Sequence, residues 1–521
     1  MRNWFLLLIV FVCGMTTMAV EMCASRLLAP YFGTTLIIWA NLIGLILIYL
    51  TVGYYLGGRL ADRFPRETVL YTLVAVAGFA IGLVPFVARP ILYVAALGFA
   101  QYSVGLFAGS LVGVLLLFSL PMILLGCVSP FAIRLQLHRL SSGGHTAGSI
   151  YALSTVGSIL GTFLPVLVLI PAIGTATTIL GFAIVLLGVA TIGLARGRAW
   201  KRAGSAALLL LALLALGLLF PPGAVRPVQD MTGGLVPVEL VYEDESAYNY
   251  IQVVRWGTST NLILNEGHAV HSIYDPEHLL TNGPWDYFLL APFFYPDTDE
   301  DDVGSLCLLG LAAGTTARQF TVVFGPDVRI DGVEIDPQII DVGRRHFAMT
   351  EPNLNAIAQD GRFFINTTDQ KYDVVGIDVY RQPYIPFQMT TVEFFTEVNR
   401  HLTDRGGVVI NVGRTPGDDR LVQVLASTMR AVFPSVYIID VADRWNSVVF
   451  ATKQPTEAAN LLANMRAGHM RERHLQAVFV SGLPTLRAFP TPTVRPFTDD
   501  WAPVEQVIDL IVLGYMTGGN F

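Results

Sequence analysis

The stretch Ser305-Leu306-Cys307-Leu308-Leu309-Gly310-Leu311-Ala312-Ala313-Gly314 reads as a short buried strand running into a glycine turn, with a helix predicted from Thr315. Strand, turn and helix in that order let backbone come close to a nucleotide or a methionine-type tail, because glycine carries no side chain into the contact. Working outward, a second strand, Val328–Glu334, ends in Glu334-Ile335-Asp336-Pro337 and leads into a helix. Glu334 lies 20 residues after Gly314, where a carboxylate takes two ribose hydroxyls. Asp360-Gly361-Arg362 opens a further turn suited to an adenine amino group. Glu334 and Asp360 also read as possible helix caps. Tyr372–Ile377 is a third strand, ending in Asp378, and Val408–Val412, Val436–Ile439 and Ser447–Ala451 supply three more. This alternation predicts a doubly wound sheet with ligands at the carboxyl ends of its strands.

Upstream, Glu239–Tyr242, Tyr250–Trp256 and Thr260–Leu264 predict a small antiparallel sheet, followed by a loop-rich, aromatic segment, His268–Tyr295. Before residue 226 the composition changes. The chain has 521 residues, 53% of them hydrophobic and only 14% charged, and its mean hydropathy is +0.55. Residues 1–226 hold 13 Lys and Arg against three acids (Glu21, Asp62, Glu67), a balance of +10, while the remainder carries −17. A spanning helix needs about 20 apolar residues. Candidates run at 4–22, 36–56, 69–88, 110–133, 148–170, 174–194 and 204–220, with 91–109 as an eighth span or a non-spanning piece. The first run shows no cleavage site and reads as a span rather than a leader. Small residues in Gly148–Gly161 predict close helix packing. Three basic loops, Gly57–Arg63, Arg134–Arg139 and Arg196–Arg202, mark the cytoplasmic side. Placing all three inside gives seven spans and an external C-terminal domain; eight spans keep that domain in the cytoplasm.

The −17 half excludes nucleic acid as an expected partner, since phosphate contacts need clustered bases. Four cysteines give no disulfide framework, and Cys307 sits in a buried strand, where a structural role is expected. His268 and His271 lie close together, but no further histidine or cysteine recurs at metal-ligand spacing, so no metal is expected.

Val333-Glu334-Ile335-Asp336-Pro337, Gln359-Asp360-Gly361-Arg362, Tyr372–Asp378, Thr390–Phe395 and Thr498–Glu505 together resemble the polyamine aminopropyltransferases, the spermidine synthase family, over roughly residues 238–510. The membrane half, including Glu21–Pro30, resembles that of bacterial proteins that fuse a membrane domain to a synthase-like domain. The resemblance implies a multi-pass helical membrane domain (1–226), a small β-sheet and substrate loop (227–302), and a Rossmann-like, methyltransferase-type α/β domain (303–521). It also implies transfer of an aminopropyl group from decarboxylated S-adenosylmethionine to an amine such as putrescine, releasing methylthioadenosine. Decarboxylated S-adenosylmethionine would then be a cosubstrate, not a permanently bound cofactor. Glu334 would hold the ribose and Asp360 the adenine, with Gly310, Gly314, Asp336 and Gly361 shaping the nucleoside pocket. Asp378 would face the reacting amine as proton acceptor, as an ammonium is no nucleophile until a base takes its proton. Self-association as a homo-oligomer is also implied, and a cosubstrate made in the cytosol favours the eight-span topology.

The departures from the family pattern fall at the acceptor end. His271 stands near the usual Gln, Trp285-Asp286-Tyr287 replaces Tyr-His-Glu, and Val379-Tyr380-Arg381-Gln382-Pro383 lacks the second carboxylate before the proline. Asp286, Tyr287, Tyr380 and His271 are the candidates for contacting the acceptor. A methyltransferase on the same fold, or a polyamine or nucleoside sensor or transporter without turnover, are the alternative readings.

Overall fold

A computed structural model describes residues 4–32, 36–99, 105–137, 143–220, 236–265, 269–380, 384–492 and 494–517. The contacts divide the chain into two units, residues 1–227 with 245–247, and 228–244 with 248–521.

The first unit is helical: α1 (Trp4–Phe32), α2 (Leu36–Arg63), α3 (Glu67–Phe99), α4 (Gly105–Gly126), α5 (Val128–Gln136), α6 (Gly143–Leu164), α7 (Ile170–Ile173), α8 (Thr175–Arg196) and α9 (Trp200–Leu219). A π-helical turn, Pro165–Leu169, joins α6 to α7. Among the described residues, seven stretches are long and apolar enough to cross a membrane. No eighth crossing is among them, for residues 91–99 simply continue α3. The first basic "loop", Gly57–Arg63, is instead the last two turns of α2. It stays helical because Gly53 and Gly57 let α2 pack directly on Ile123, Gly126 and Cys127. Arg134, likewise expected in a loop, is on α5, where its Nε meets Asp62 Oδ1 at 2.9 Å. The expected close packing appears between α1 and α6, where Gly157 and Gly161 lie against the Phe11 and Met15 backbone.

The second unit begins with an antiparallel sheet of β1 (Val238–Glu245), β2 (Tyr250–Trp256), β3 (Ser259–Leu264) and β4 (Val270–Tyr274), in that order. β4 lies in the segment expected to be loop; it forms because its residues pair with Thr260–Ile263 of β3. The alternate residues Ile251, Val253, Leu262 and Leu264 make a core with Ile339, Val342 and Phe347.

The larger sheet contains β5 (Ser305–Leu309), β6 (Arg329–Glu334), β7 (Leu354–Ala358), β8 (Tyr372–Ile377), β9 (Leu402–Gly413), β10 (Ser435–Asp440), β11 (Asn446–Thr452) and β12 (Arg487–Ala488). Its order is β12-β10-β11-β9-β8-β5-β6-β7. β5 to β9 are parallel neighbours, and β11 runs antiparallel between β9 and β10. Helices α10 (Thr315–Phe324), α11 (Pro337–His346), α12 (Gly361–Thr367), α13 (Val392–Arg400), α14 (Arg420–Arg430), α15 (Ala459–Ala467), α16 (Arg473–Gly482) and α17 (Val504–Thr517) follow the strands. This is the doubly wound, methyltransferase-type architecture with a small antiparallel sheet before it. Strand periodicity builds the two layers. Leu306 and Leu308 pack beneath α10, α15 and α16, whereas Cys307 and Leu309 face the core shared by α13, α14 and α17. Burial pushes the Cys307 thiol above its ordinary range, in keeping with a packing role.

Candidate active site

The chain reverses its winding between β5 and β8, and ligands of such sheets sit in the crevice beyond those carboxyl ends. Gly310 marks this point. Its φ is +91°, and a Cβ there would overlap the Asp378 carbonyl oxygen, so the turn after β5 and the end of β8 approach as closely as backbone permits. Gly310 and Leu311 both donate N–H to Val333 O, at 2.9 and 3.0 Å. Gly314 (φ +92°) lies over Met349 and starts α10. Between them Ala312 takes φ +49°, the left-handed conformation usually left to glycine. Two contacts hold it: Ala312 N–H donates to Glu334 Oε2 (3.0 Å) and Ala313 N–H to Ser272 Oγ (3.0 Å). β4 therefore braces the turn, reinforced by Thr315 Oγ1, which exchanges hydrogen bonds with the Ile273 backbone at 2.8 and 2.9 Å.

Glu334 ends β6, buried, with Oε1 accepting from Asp336 N–H at 3.2 Å. Burial pushes its carboxyl up to about 7, against the pull of the backbone hydrogen bonds. Asp336 is fully buried and both its oxygens are engaged. Oδ1 caps α11 through Gln338 N–H (3.1 Å), and Oδ2 accepts from Asn249 Nδ2 (2.9 Å). It thus ties the small sheet to the larger one. Asp360 caps α12, with Oδ1 accepting from Phe363 N–H at 2.9 Å, and Gly361 sits against Met389 and Leu309.

Asp378 follows β8. Burial raises its carboxyl above the usual range, while two donors partly offset that. Trp285 Nε1 donates to Oδ2 at 2.6 Å and Asn411 Nδ2 to Oδ1 at 2.9 Å. β6 and β8 flank β5, so Glu334 and Asp378 leave strands about 10 Å apart. Tyr380 borders Asp378, and its hydroxyl accepts from Gly413 N–H at 2.5 Å.

The other acceptor-end candidates are placed differently. Asp286 is buried and saturated: Thr281, Asn282 and Gln319 supply five hydrogen bonds to its two oxygens. Tyr287 is buried and bonded to Ser481 at 2.8 Å. The 3-10 helix Pro284–Phe294 that carries them brings their neighbour Trp285 to Asp378 instead. His271 is half-buried on β4 beside Ser272, its imidazole pushed down to about 4 by burial and hence neutral at pH 7. His268 and Arg381–Pro383 lie outside the described residues. Trp285 and Asn411 had no role assigned from sequence, although Asn411 is the single polar residue in Val408-Val409-Ile410-Asn411-Val412. Among the described residues no cluster of three metal-ligating side chains forms.

Away from the pocket, Arg362 joins three of the quoted segments. Its guanidinium takes both oxygens of Asp499 at 2.8 Å and both of Glu397 at 3.1 Å, while Thr391 Oγ1 also bonds Asp499 at 2.7 Å.

Residues 313–452, from the glycine turn to the end of β11, match the spermine/spermidine synthase domain. A probable polyamine aminopropyl transferase of Bifidobacterium longum is 35% identical over 235 residues, 44% of this chain and 51% of that protein. The match thus spans about half of that relative's length. A polyamine aminopropyltransferase of Corynebacterium efficiens is 24% identical over 451 residues, 82% of this chain and 81% of its own, so this likeness extends beyond residues 313–452 into the helical unit. A probable spermidine synthase of Corynebacterium glutamicum superposes on 50% of this chain and 97% of its own at TM-score 0.41 and 18% identity.

Proposed function

We propose that the protein is a membrane-anchored aminopropyltransferase, which moves the aminopropyl group of decarboxylated S-adenosylmethionine to an amine such as putrescine. The observation that carries the reading is the position of Glu334, Asp360 and Asp378 at the carboxyl ends of β6, β7 and β8 around the Gly310–Gly314 turn. Glu334 accepts the ribose hydroxyls, and Asp360 Oδ2, which has no protein partner among the described residues, accepts from the adenine amino group. Asp378 orients the acceptor ammonium and takes its proton. The amine lone pair then forms a bond to the methylene carbon beside the sulfonium. The carbon–sulfur bond breaks, its electron pair goes to sulfur, and methylthioadenosine leaves. The raised proton affinity of Asp378 suits this role, because a base is most effective when its pKa approaches working pH. The seven apolar stretches found among the described residues supply the anchor to a lipid bilayer.

The test incubates the purified protein with decarboxylated or ordinary S-adenosylmethionine and a panel of mono- and diamines, following products by mass spectrometry. Methylthioadenosine and an aminopropylated amine are expected with the decarboxylated cosubstrate. Nucleoside binding without methylthioadenosine from any amine refutes the reading, and a methylated product would move the protein to a different transferase class.

A further inference from the structure

Asp378 is held by an amide whose own orientation is fixed from behind. Asn446 Nδ2, at the start of β11, donates to Asn411 Oδ1 at 2.9 Å. An asparagine amide has one accepting and one donating end. With its oxygen committed to Asn446, Asn411 presents its NH2 to Asp378 Oδ1 at 2.9 Å. Turned over, it would set a carbonyl oxygen against the carboxylate. On the other side, the indole of Trp285 can only donate, and it does so to Oδ2 at 2.6 Å. The carboxylate plane is thereby fixed by a donor on each oxygen, and each oxygen keeps a lone pair for the pocket. β11 itself is anchored there by the pairing of Asn446 with Gly413 and by Arg414 N–H donating to Trp445 O at 2.8 Å.

We infer that Asn446 is a positioning residue for the reaction: it acts through the Asn411 amide to orient the Asp378 carboxylate toward the acceptor amine. For catalysis this rests on the aminopropyltransferase reading; the relay itself is a property of the fold. Among the described residues, the charged and titratable groups around Asp378 are few. Tyr380 stands on its own loop, with its hydroxyl on Gly413 N–H. Asp286, on the segment that carries Trp285, is tied to Thr281, Asn282 and Gln319. Arg414, following β9, pairs with Asp440 of β10 at 3.7 Å.

The experiment uses the full chain in detergent or nanodiscs and two readouts. One is the pH profile of kcat/KM for methylthioadenosine release. The other, independent of turnover, is the pH titration of Trp285 emission, isolated by subtracting a Trp285→Phe spectrum. Asn446→Leu removes the donor without adding charge, so the Asn411 amide is free to turn. The expected result is a rise of about half a pH unit or more in the Asp378 midpoint in both readouts, with a fall of threefold or more in kcat at pH 7 and an unchanged KM for the nucleoside. In an Asn411→Ala background, Asn446→Leu should shift neither midpoint further, because the two residues act as one unit. A wild-type midpoint in Asn446→Leu overturns the relay, as does an equal shift in the Asn411→Ala background, which would mark a general loosening of β11. Should Asn446→Leu fail to fold, Asn446→Ser is read by the same criteria. If no amine gives turnover, the proposed reaction fails while the emission titration still decides the relay.

Discussion

Replacing Glu334 with glutamine separates nucleoside recognition from architecture. The wild-type carboxylate accepts Ala312 N–H at 3.0 Å and Asp336 N–H at 3.2 Å, and each of its oxygens retains a lone pair for a ribose hydroxyl. Hydrogen bonds to a charged acceptor are worth about 1.5–3 kcal/mol each. Glutamine keeps one accepting oxygen and turns an NH2 toward the other backbone donor, so one such bond is lost and the second weakened. The expected loss is roughly 3 kcal/mol, on the order of a hundredfold in Kd for methylthioadenosine. The pH dependence is a second signature. Burial holds the Glu334 proton up to about 7, so wild-type affinity should fall about tenfold from pH 8 to pH 6, as the accepting carboxylate is lost. Stability of the free protein runs the other way. A carboxyl whose folded pKa is raised contributes stability that is complete below about pH 4 and lost as pH climbs through 7, here about 3 kcal/mol in all. His271, pushed down to about 4, tilts stability oppositely as pH falls below its ordinary value of 6.5. The Glu334 contribution is therefore read as the difference between wild type and Glu334→Gln. Calorimetric titration with methylthioadenosine at pH 6, 7 and 8, beside thermal melts over the same range, makes both measurements. Binding by the variant within threefold of wild type, or an unaltered pH slope, would refute ribose recognition and leave Glu334 as a brace for the Ala312 turn.

Asp378→Asn should lower kcat by about 10²- to 10⁴-fold while leaving the Kd of methylthioadenosine within threefold, in single-turnover and equilibrium assays; turnover that survives would mean another group takes the proton. Arg362→Met leaves Glu397 and Asp499 without their cation; both partners sit partly in solvent, so the expected cost is about 2 kcal/mol, or a Tm lower by roughly 5 °C in a melt. For topology, α9 is long and apolar enough to cross once, and if it does, cysteines placed at Gly197 and at Phe220 should be labelled from opposite faces. The buried native cysteines keep the background low. The charge rule puts Gly197 inside, and the residues after Leu219 would then emerge where cosubstrate must be supplied from outside the cytoplasm. Labelling of Gly197 from outside would place the C-terminal domain in the cytosol.

The strands that carry the site were legible because each is a short apolar run ending at a turn or a carboxylate: β5 and β8 begin and end where the sequence places them. β7 was not. It is an edge strand, Leu354-Asn355-Ala356-Ile357-Ala358, in which half-buried and exposed residues do not strictly alternate and only Ile357 is β-branched, so no local pattern announces it. β4 exists only through its partner β3. The basic ends of α2 and α5 read as loops because charge and glycine suggest a break, whereas helix–helix packing at Gly53 and Gly57 overrides the local signal. At the site, the strand-end carboxylates could be picked out by position, but their partners could not. Trp285 lies 93 residues from Asp378 and Asn411 33, and which residue of Trp285-Asp286-Tyr287 faces the pocket depends on the phase of a 3-10 helix.

The charge imbalance of the C-terminal half is the least specific clue to its ligand, and the structure shows why. Asp418, Asp440 and Asp499 each bind an arginine, which holds their protons below the usual carboxylate range. Those charges are balanced within the protein. Glu334 and Asp378 differ, since both are raised by burial and no Lys or Arg figures among the groups that shift them. Among the described residues no Lys or Arg pairs with either of these acids, which leave strands about 10 Å apart, so a cationic ligand would meet carboxylates that no described cation compensates. A substrate pair that brings a sulfonium and an ammonium supplies such cations, and the sulfonium charge disappears on transfer. In the proposed reaction the product thioether would then be held less strongly than the cosubstrate by the same carboxylates, so turnover would itself weaken the grip on what must leave.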